Sequence, residues 1–486
     1  MARLRHGFGI QFEPETQSGN AIDLLNVNPI PPGQVAYPEP TPYGYLLGER
    51  IDTADQLPES PNTPVALMEL GNSMVDRDPT NVEGDSSIPS LYTYFGQFIT
   101  HDLTLEMARG KELEKVVTPL DAAKIEGLKN VRTPKLDLDS VYGPMIDEAG
   151  CFPVPRNGDE FELGKALNCP VGTDLPRKQQ KGFPALIGDG RNDETFIISQ
   201  LHLAFLRAHN ALVRQGRKFE EARQLLKHHY QWIVVNDYLQ KVADPLVVQG
   251  ILDGAINVYP MERGPFIPYE FSIAALRFGH SMVRSKYDYS LIEPTASLRR
   301  LKVSEAFGRF PGIQRGWIID WKRFARDGSN KARRIDVAVN NPLPLTRDAE
   351  MNLSPTLAAL DLLRGYMLRL PTGQAVARHL NLSDDEKLSE ENFHSVAVSD
   401  EQRGILQNRN ITQATPLWFY ILAEASHFHQ GQHLGPLGSR LVAGVLIGLL
   451  RADNDSFIHV PDFHPVIENN GQFGLEDFLR FAEVLN

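Results

Sequence analysis

The sequence predicts a mainly α fold: a single large helical domain with long irregular loops and little β structure. Three observations carry that expectation. Apolar residues recur at helical spacing from about residue 65 onward, alternation of β-branched residues is scarce, and no repeat or linker divides residues 65–486. Residues 1–64 differ. They are rich in Pro, Gly and Asn, as in Asn28-Pro-Ile-Pro-Pro-Gly33 and Tyr37-Pro-Glu-Pro-Thr-Pro-Tyr43, and read as an extended arm or wrapping segment.

The helices follow in order. One opens after Ser87 with Pro89 in its first turn and runs to about residue 106. A second covers about 193–216, with Phe196, Ile197, Leu201, Phe205 and Leu212 on its apolar stripe. Others fit about 220–241, 271–285, 356–370 and 416–426. The apolar run from Leu441 to Leu450 is too short for a membrane span and meets Arg451 at once, so it reads as a buried helix.

Composition narrows the function. With 42% hydrophobic and 23% charged residues the chain suits a soluble globular protein, and a net charge of -12 leaves no basic footprint for nucleic acid. A neutral or cationic small substrate stays open. The start, Met1-Ala-Arg-Leu-Arg-His-Gly-Phe8, has no apolar signal core, so the expectation is a cytoplasmic or non-classically exported protein, with a trimmed signal as the alternative. Cys151 and Cys169 are too few for a disulfide framework; one closed loop and two separate thiols both fit.

Four stretches carry chemistry. In Leu91-Tyr-Thr-Tyr-Phe-Gly-Gln-Phe-Ile-Thr-His-Asp-Leu103, a helix puts Gln97 and His101 on one face and turns Asp102 about 100° away. Polar groups in so apolar a helix need partners or a ligand, and a satisfied core histidine is the plain alternative. Gly188-Asp-Gly-Arg-Asn-Asp-Glu-Thr195 is a glycine-flanked turn opening a helix, where Arg191 and Glu194 either face a common site or form a surface ion pair. In Arg277-Phe-Gly-His280, Gly279 costs a helix about 1 kcal/mol relative to Ala, which makes sense if something flat lies against the backbone beside His280. Neutral imidazole ligates iron when its other nitrogen has an acceptor, for which Asp361 is a candidate, and Arg364 could face an anionic group of the same cofactor. In Thr133-Pro-Lys-Leu-Asp-Leu-Asp-Ser-Val-Tyr-Gly143, an extended chain would alternate the side chains of Thr133 and Asp137 with Asp139 on one face, Lys135 offering its carbonyl oxygen. Such a set, completed by Asp102, suits Ca²⁺; an Asx turn with solvated aspartates is the alternative.

In order and spacing these stretches resemble the animal haem peroxidase family, over about residues 65–480 and including Thr415-Pro-Leu-Trp-Phe-Tyr-Ile-Leu-Ala-Glu-Ala425. The resemblance is to a bacterial-type member of the peroxidase and cyclooxygenase superfamily. It implies a haem peroxidase domain over 65–486, haem b and Ca²⁺ as cofactors, and hydrogen peroxide with a small reducing substrate as partners. The implied reaction reduces peroxide through a ferryl intermediate and oxidises a small organic, halide or pseudohalide substrate. His101 then matches the distal base, Gln97 its neighbour, Arg191 the distal arginine and His280 the iron ligand. Arg277 and Arg364 match positions near the haem propionates, and Asp102, Thr133, Lys135, Asp137 and Asp139 match the calcium site. Glu194 matches a carboxylate that forms an ester with a haem methyl in many members.

Departures from the family pattern refine this. Thr100 stands in place of a second ester-forming carboxylate, Thr195 in place of a sulfonium-forming methionine, and Asp361 in place of the usual proximal asparagine. Asp139 replaces a common serine and keeps an oxygen ligand. Three alternatives remain. A fatty-acid dioxygenase on the same fold is disfavoured because Arg277 sits where cyclooxygenase-like members carry a radical-forming tyrosine. A catalytically silent adhesion or binding protein is disfavoured by the intact His101, Arg191 and His280. A non-haem metal site at His427, His429 and His433 is disfavoured by Gly431 and the lack of an acidic partner close by in sequence.

Overall fold

The computed structural model describes residues 5–6, 10–11, 35, 38–107, 118–147, 150–169, 172–180, 182–292, 295–303, 312–340, 356–467 and 473–485. The proline-rich piece 28–33 of the expected arm lies outside the described residues. The later part of that arm is built in: Thr41–Gly44 is the second strand of a small mixed sheet, ordered Ile267–Pro268, Thr41–Gly44, Lys129–Asn130, Glu106–Met107. Its neighbours Tyr45 and Leu46 are buried.

Helices dominate, as the apolar periodicity predicts. We label eight of them α1 (Asn62–Ser73), α2 (Leu91–Leu103), α3 (Phe196–Arg214), α4 (Phe219–Ile233), α5 (Pro245–Leu252), α6 (Leu357–Met367), α7 (Leu417–His429) and α8 (Pro436–Ala452). Among the described residues, buried apolar side chains form one continuous cluster running from Tyr45 to Leu485. The helix expected at Leu441 is the middle of α8, with 14 buried residues. No described helix is long and apolar enough to cross a membrane.

Helix starts follow local chemistry. Thr195 caps α3 by accepting from Ile198 N, and Thr356 caps α6 by accepting from Ala359 N. Where α1 and α6 touch, Gly71 permits the approach, because a Cβ there would lie 2.3 Å from Ala359 Cα.

Two helical expectations need correction. The segment Asp85–Pro89 is a strand paired with Lys331–Arg333, and α2 begins only at Leu91. The residues after Pro89 leave that pairing through Ser90, whose N–H still donates to the Asn330 carbonyl at 3.0 Å. At its far end α2 stops at Leu103, and Glu106 belongs to the sheet. The second correction is at 271–285, where a wide π turn over Glu270–Ala274 passes into a tight 3-10 turn over Ala275–His280. Side chains three apart eclipse in a 3-10 turn, so Arg277 and His280 come onto one side.

Candidate active site

Every residue of α2 is buried, Gln97 and His101 included. The Gly190–Asp193 turn packs against its C-terminal end. Asp189 opens that turn, accepting from Arg191 N at 2.9 Å, and its carboxylate then takes Nε of Arg191 at 3.0 Å and Nη2 at 2.7 Å. The same Nη2 donates to the carbonyls of His101 at 3.1 Å and Thr104 at 2.6 Å. Arg191 thereby fastens the turn to the frayed end of α2, whose carbonyls lack helical partners. Its Nη1 is buried and has no hydrogen-bond partner among the described residues. The next residue, Asn192, places Oδ1 2.7 Å from His101 Nδ1. Glu194 is half-buried at the end of the turn; burial and then Tyr287 push the Tyr94 hydroxyl well above its usual range, with a smaller push from Glu194. Thr100 Oγ1 donates to its own helix at Gly96 O, 2.9 Å away.

A second ionic centre lies on the 3-10 turn. His280 Nδ1 bonds one oxygen of Asp361, and Arg277 Nη1 donates to the other at 2.6 Å. All three residues are buried. Burial pushes the Asp361 carboxyl up, but His280 and Arg277 together hold it below the usual carboxylate range. With Nδ1 so engaged, Nε2 is the ring nitrogen turned away from Asp361. Trp418 of α7 meets the His280 ring edge-on at 6.2 Å between centroids. A Cβ on Gly279 would meet nothing within 4 Å, so open space borders the backbone beside His280. Arg364, one turn beyond Asp361 on α6, is bound through Nη2 to both Glu106 oxygens at 2.5 Å.

The acidic loop differs from the extended strand its alternation suggests. It bends, Leu138 takes a left-handed conformation at φ 60, and a short helix Asp139–Tyr142 follows. Asp102 reaches the loop, accepting from Leu138 N at 3.2 Å, Ser140 N at 3.0 Å and Ser140 Oγ at 3.1 Å. Burial and then Asp137 hold its carboxyl well above the usual range, against the pull of Ser140. Burial and then Asp139 push Asp137 up to about 6. Asp137 Oδ1 is buried without a hydrogen-bond partner among the described residues, while Thr133 Oγ1 donates to Oδ2 at 2.9 Å. Lys135 sends its ammonium away, to Asp453 at 2.8 Å. Among the described residues no group of three or more His, Cys, Asp or Glu forms a ready metal cluster.

The histidines near the end of α7 lose their helical spacing. Gln430 and Gly431 are left-handed, at φ 52 and 71, and the His429 and His433 rings lie 3.9 Å apart with Asp244 3.4 Å from His429. Cys151 and Cys169 are not bonded to each other.

The sequence profile described as "Animal haem peroxidase" matches residues 126–388, more than half of the chain. The chain belongs to the animal haem peroxidase family. It is 28% identical over 277 residues to a "Peroxidase-like protein" of Margaritifera margaritifera, covering 50% of this chain and 34% of that one. It is 31% identical over 171 residues to human "Thyroid peroxidase", covering 32% of this chain and 16% of that one. The chain thus spans about a third or less of these two relatives. Peroxidase A of Dictyostelium discoideum shares the fold at a TM-score of 0.64 and 16% identity, over 94% of this chain and 95% of that one. A fatty acid alpha-dioxygenase of Oryza sativa shares it at 0.55 and 13%, over 88% and 78%. Arg191, Glu194, Arg277, His280, Asp361 and Arg364 lie inside the family match; Gln97, His101 and Asp102 precede it.

The family's haem fits the residues present on two observations. Space borders Gly279 beside an imidazole whose Nδ1 is held by a carboxylate, and Arg191 carries a buried donor with no partner. Sequence reasoning missed four groups that set this geometry: Asn192, Asp189, Arg132 and Glu106. Asp189 and Asn192 flank Arg191 in the same glycine-bounded turn, so their place was visible though their partners were not. Arg132 is fully buried, 2.7 Å from Asp189 and 3.6 Å from Asp139, and nothing local to its sequence signals that role.

Proposed function

We propose that this chain is a haem-dependent peroxidase that reduces hydrogen peroxide and oxidises a small organic, halide or pseudohalide substrate. The observation that carries the reading is the buried His280, Asp361 and Arg277 arrangement beside the space at Gly279. His280 would hold the haem iron through Nε2, with Arg364 and Arg277 as the cations nearest in role to its propionates and Glu194 as the only candidate for an ester link. Haem, when bound, would supply the redox chemistry, an iron centre able to take up the two oxidising equivalents of peroxide.

The protein's part is to hold charge and move a proton. Asp361 keeps the proton on Nδ1 of His280 and gives the ring more imidazolate character, which favours oxidised iron. Arg277 neutralises Asp361, so the carboxylate stays charged in a dry site. His101 would take a proton from hydrogen peroxide and return it to the departing oxygen, which leaves as water. Arg191 can stabilise the developing charge only through Nη1, since Nε and Nη2 are committed to Asp189 and to carbonyls. Gln97, a helical turn before His101, would help orient peroxide and water.

A calcium ion at Asp102, Thr133, Lys135 carbonyl, Asp137 and Asp139 is part of the proposal. Crowded buried carboxylates and the unpartnered Asp137 Oδ1 support it.

One experiment tests the reading. Haem is added to the full chain and the spectrum recorded; peroxide is then added, followed by bromide, iodide or a phenol while the return to the starting spectrum is timed. A Soret band that peroxide shifts and a reductant restores is expected. No Soret band, or one indifferent to peroxide, overturns it, and oxygen uptake with an unsaturated fatty acid alone would favour a dioxygenase. Against the dioxygenase stands Arg277, a cation bound to Asp361, three residues before His280.

A further inference from the structure

We infer that Asn192 is a positioning residue that fixes the tautomer of His101, with the proton on Nδ1 and the lone pair on Nε2. The consequence for catalysis rests on the peroxidase reading; the tautomer itself does not.

The argument follows from what each atom can do. Asn192 is fully buried, and its Oδ1 lies 2.7 Å from His101 Nδ1. An amide oxygen only accepts, so that ring nitrogen must donate. The other end of the same amide, Nδ2, lies 3.0 Å from Nδ1 of His202, and an amide nitrogen only donates, so His202 must offer a lone pair there. Burial, partly opposed by Asp189, pushes His202 down to about 3, so it stays neutral at physiological pH and one of its ring nitrogens keeps a lone pair to accept with. The amide thus couples the two rings: with its oxygen on His101 and its nitrogen on His202, His101 donates from Nδ1 and His202 accepts at Nδ1.

The relay is rigidly mounted. Asn192 N donates to Asp189 O at 3.0 Å, and Arg191 anchors the same turn to α2. His202 sits on α3 and meets Phe98 of α2 edge-on at 6.1 Å between centroids. A base that takes a proton from peroxide must present a lone pair, and the opposite tautomer would present an N–H. When His101 holds the extra proton, the Nδ1–H bond to Asn192 persists and strengthens. The proton goes from peroxide to Nε2 and from Nε2 to the leaving oxygen, so the ring ends neutral as it began.

The test reads the tautomer directly. The full chain is labelled with ¹⁵N at histidine and its ring nitrogens are observed by NMR, both without porphyrin and loaded with diamagnetic zinc protoporphyrin; His101→Gln identifies the signal. His101 is expected as the Nδ1–H form. Asn192→Ala should move it toward Nε2–H and lower kcat/KM for peroxide about 10- to 100-fold in the haem-loaded chain. Asn192→Asp keeps an acceptor oxygen and should retain the Nδ1–H form and most of the rate. A wild-type His101 in the Nε2–H form, or an Asn192→Ala protein with an unchanged tautomer, overturns the inference. A retained Nδ1–H form in a chain that shows no peroxide chemistry would leave the tautomer standing and sink the peroxidase reading instead.

Discussion

At the scale of single residues, Asp189 does more than its sequence position suggests. It is buried between two arginines, 2.7 Å from Arg132 and 2.7 Å from Arg191. Burial raises its pKa, and Arg191 and Arg132 together overcome that and hold it far below the usual carboxylate range. A depressed carboxylate contributes stability that is fully present above its unfolded pKa of about 4 and is lost as pH falls toward the folded value. Asp189→Asn leaves the buried Arg191 without its counter-ion and Arg132 with Asp139 alone, and should destabilise the fold by about 3–5 kcal/mol. In denaturant titrations the gap to wild type should be constant from about pH 6 to 8 and narrow below about pH 4. A gap unchanged in acid would refute this account. Because Asp189 also orients Arg191, the variant should lose activity before it loses its fold.

At the scale of elements, two glycines separate tight packing from open space. Gly71→Ala drives a methyl into the α6 backbone at Ala359 and should cost about 1–3 kcal/mol or more, read as a lower melting temperature. Gly279→Ala meets open space, so the haem-free chain should melt at or slightly above the wild-type temperature while a Soret titration shows weaker haem binding. Equal haem affinity in that variant would argue against a flat group lying there. A third element-scale feature is Glu424 of α7, which accepts from Leu437 N at 3.1 Å and Gly438 N at 2.5 Å at the start of α8. Burial raises its pKa to about 8 against those two N–H groups and Arg440, with a small push from Glu386. Between about pH 4 and 8 the folded state then keeps a proton that the unfolded chain has released, so stability falls as pH rises through that window. Glu424→Gln should flatten this slope in urea titrations at pH 5, 7 and 8.5; an identical slope in the variant would exclude Glu424 as its source.

At the scale of the whole molecule, the acidic loop joins distant parts of the chain through Asp102 on α2, Lys135 to Asp453 after α8, and Arg132 to Asp189. Under the calcium proposal, chelation should first lower peroxide turnover and only later reduce the melting temperature, and added Ca²⁺ should restore both. A chain stripped of calcium by elemental analysis yet fully active would rule this out. The helices were legible in the sequence because apolar spacing is local, and the stretches that hold His101, Asp102, Arg191 and His280 stood out as candidates because their neighbours are distinctive. The π and 3-10 turns around Ala274 were not, since their hydrogen-bond register serves a carboxylate 81 positions away at Asp361. Nor were Arg132 and Glu106, whose partners come from other elements. That separation between His280 and Asp361 has a consequence for biosynthesis. At typical ribosomal speeds of about 5–20 residues per second, His280 emerges about 4–16 s before the carboxylate that orients it. Haem captured in that interval would be held by an imidazole that Asp361 does not yet orient, so productive loading belongs after Asp361 has emerged, and a ribosome stalled just short of Asp361 should display a chain that binds haem weakly.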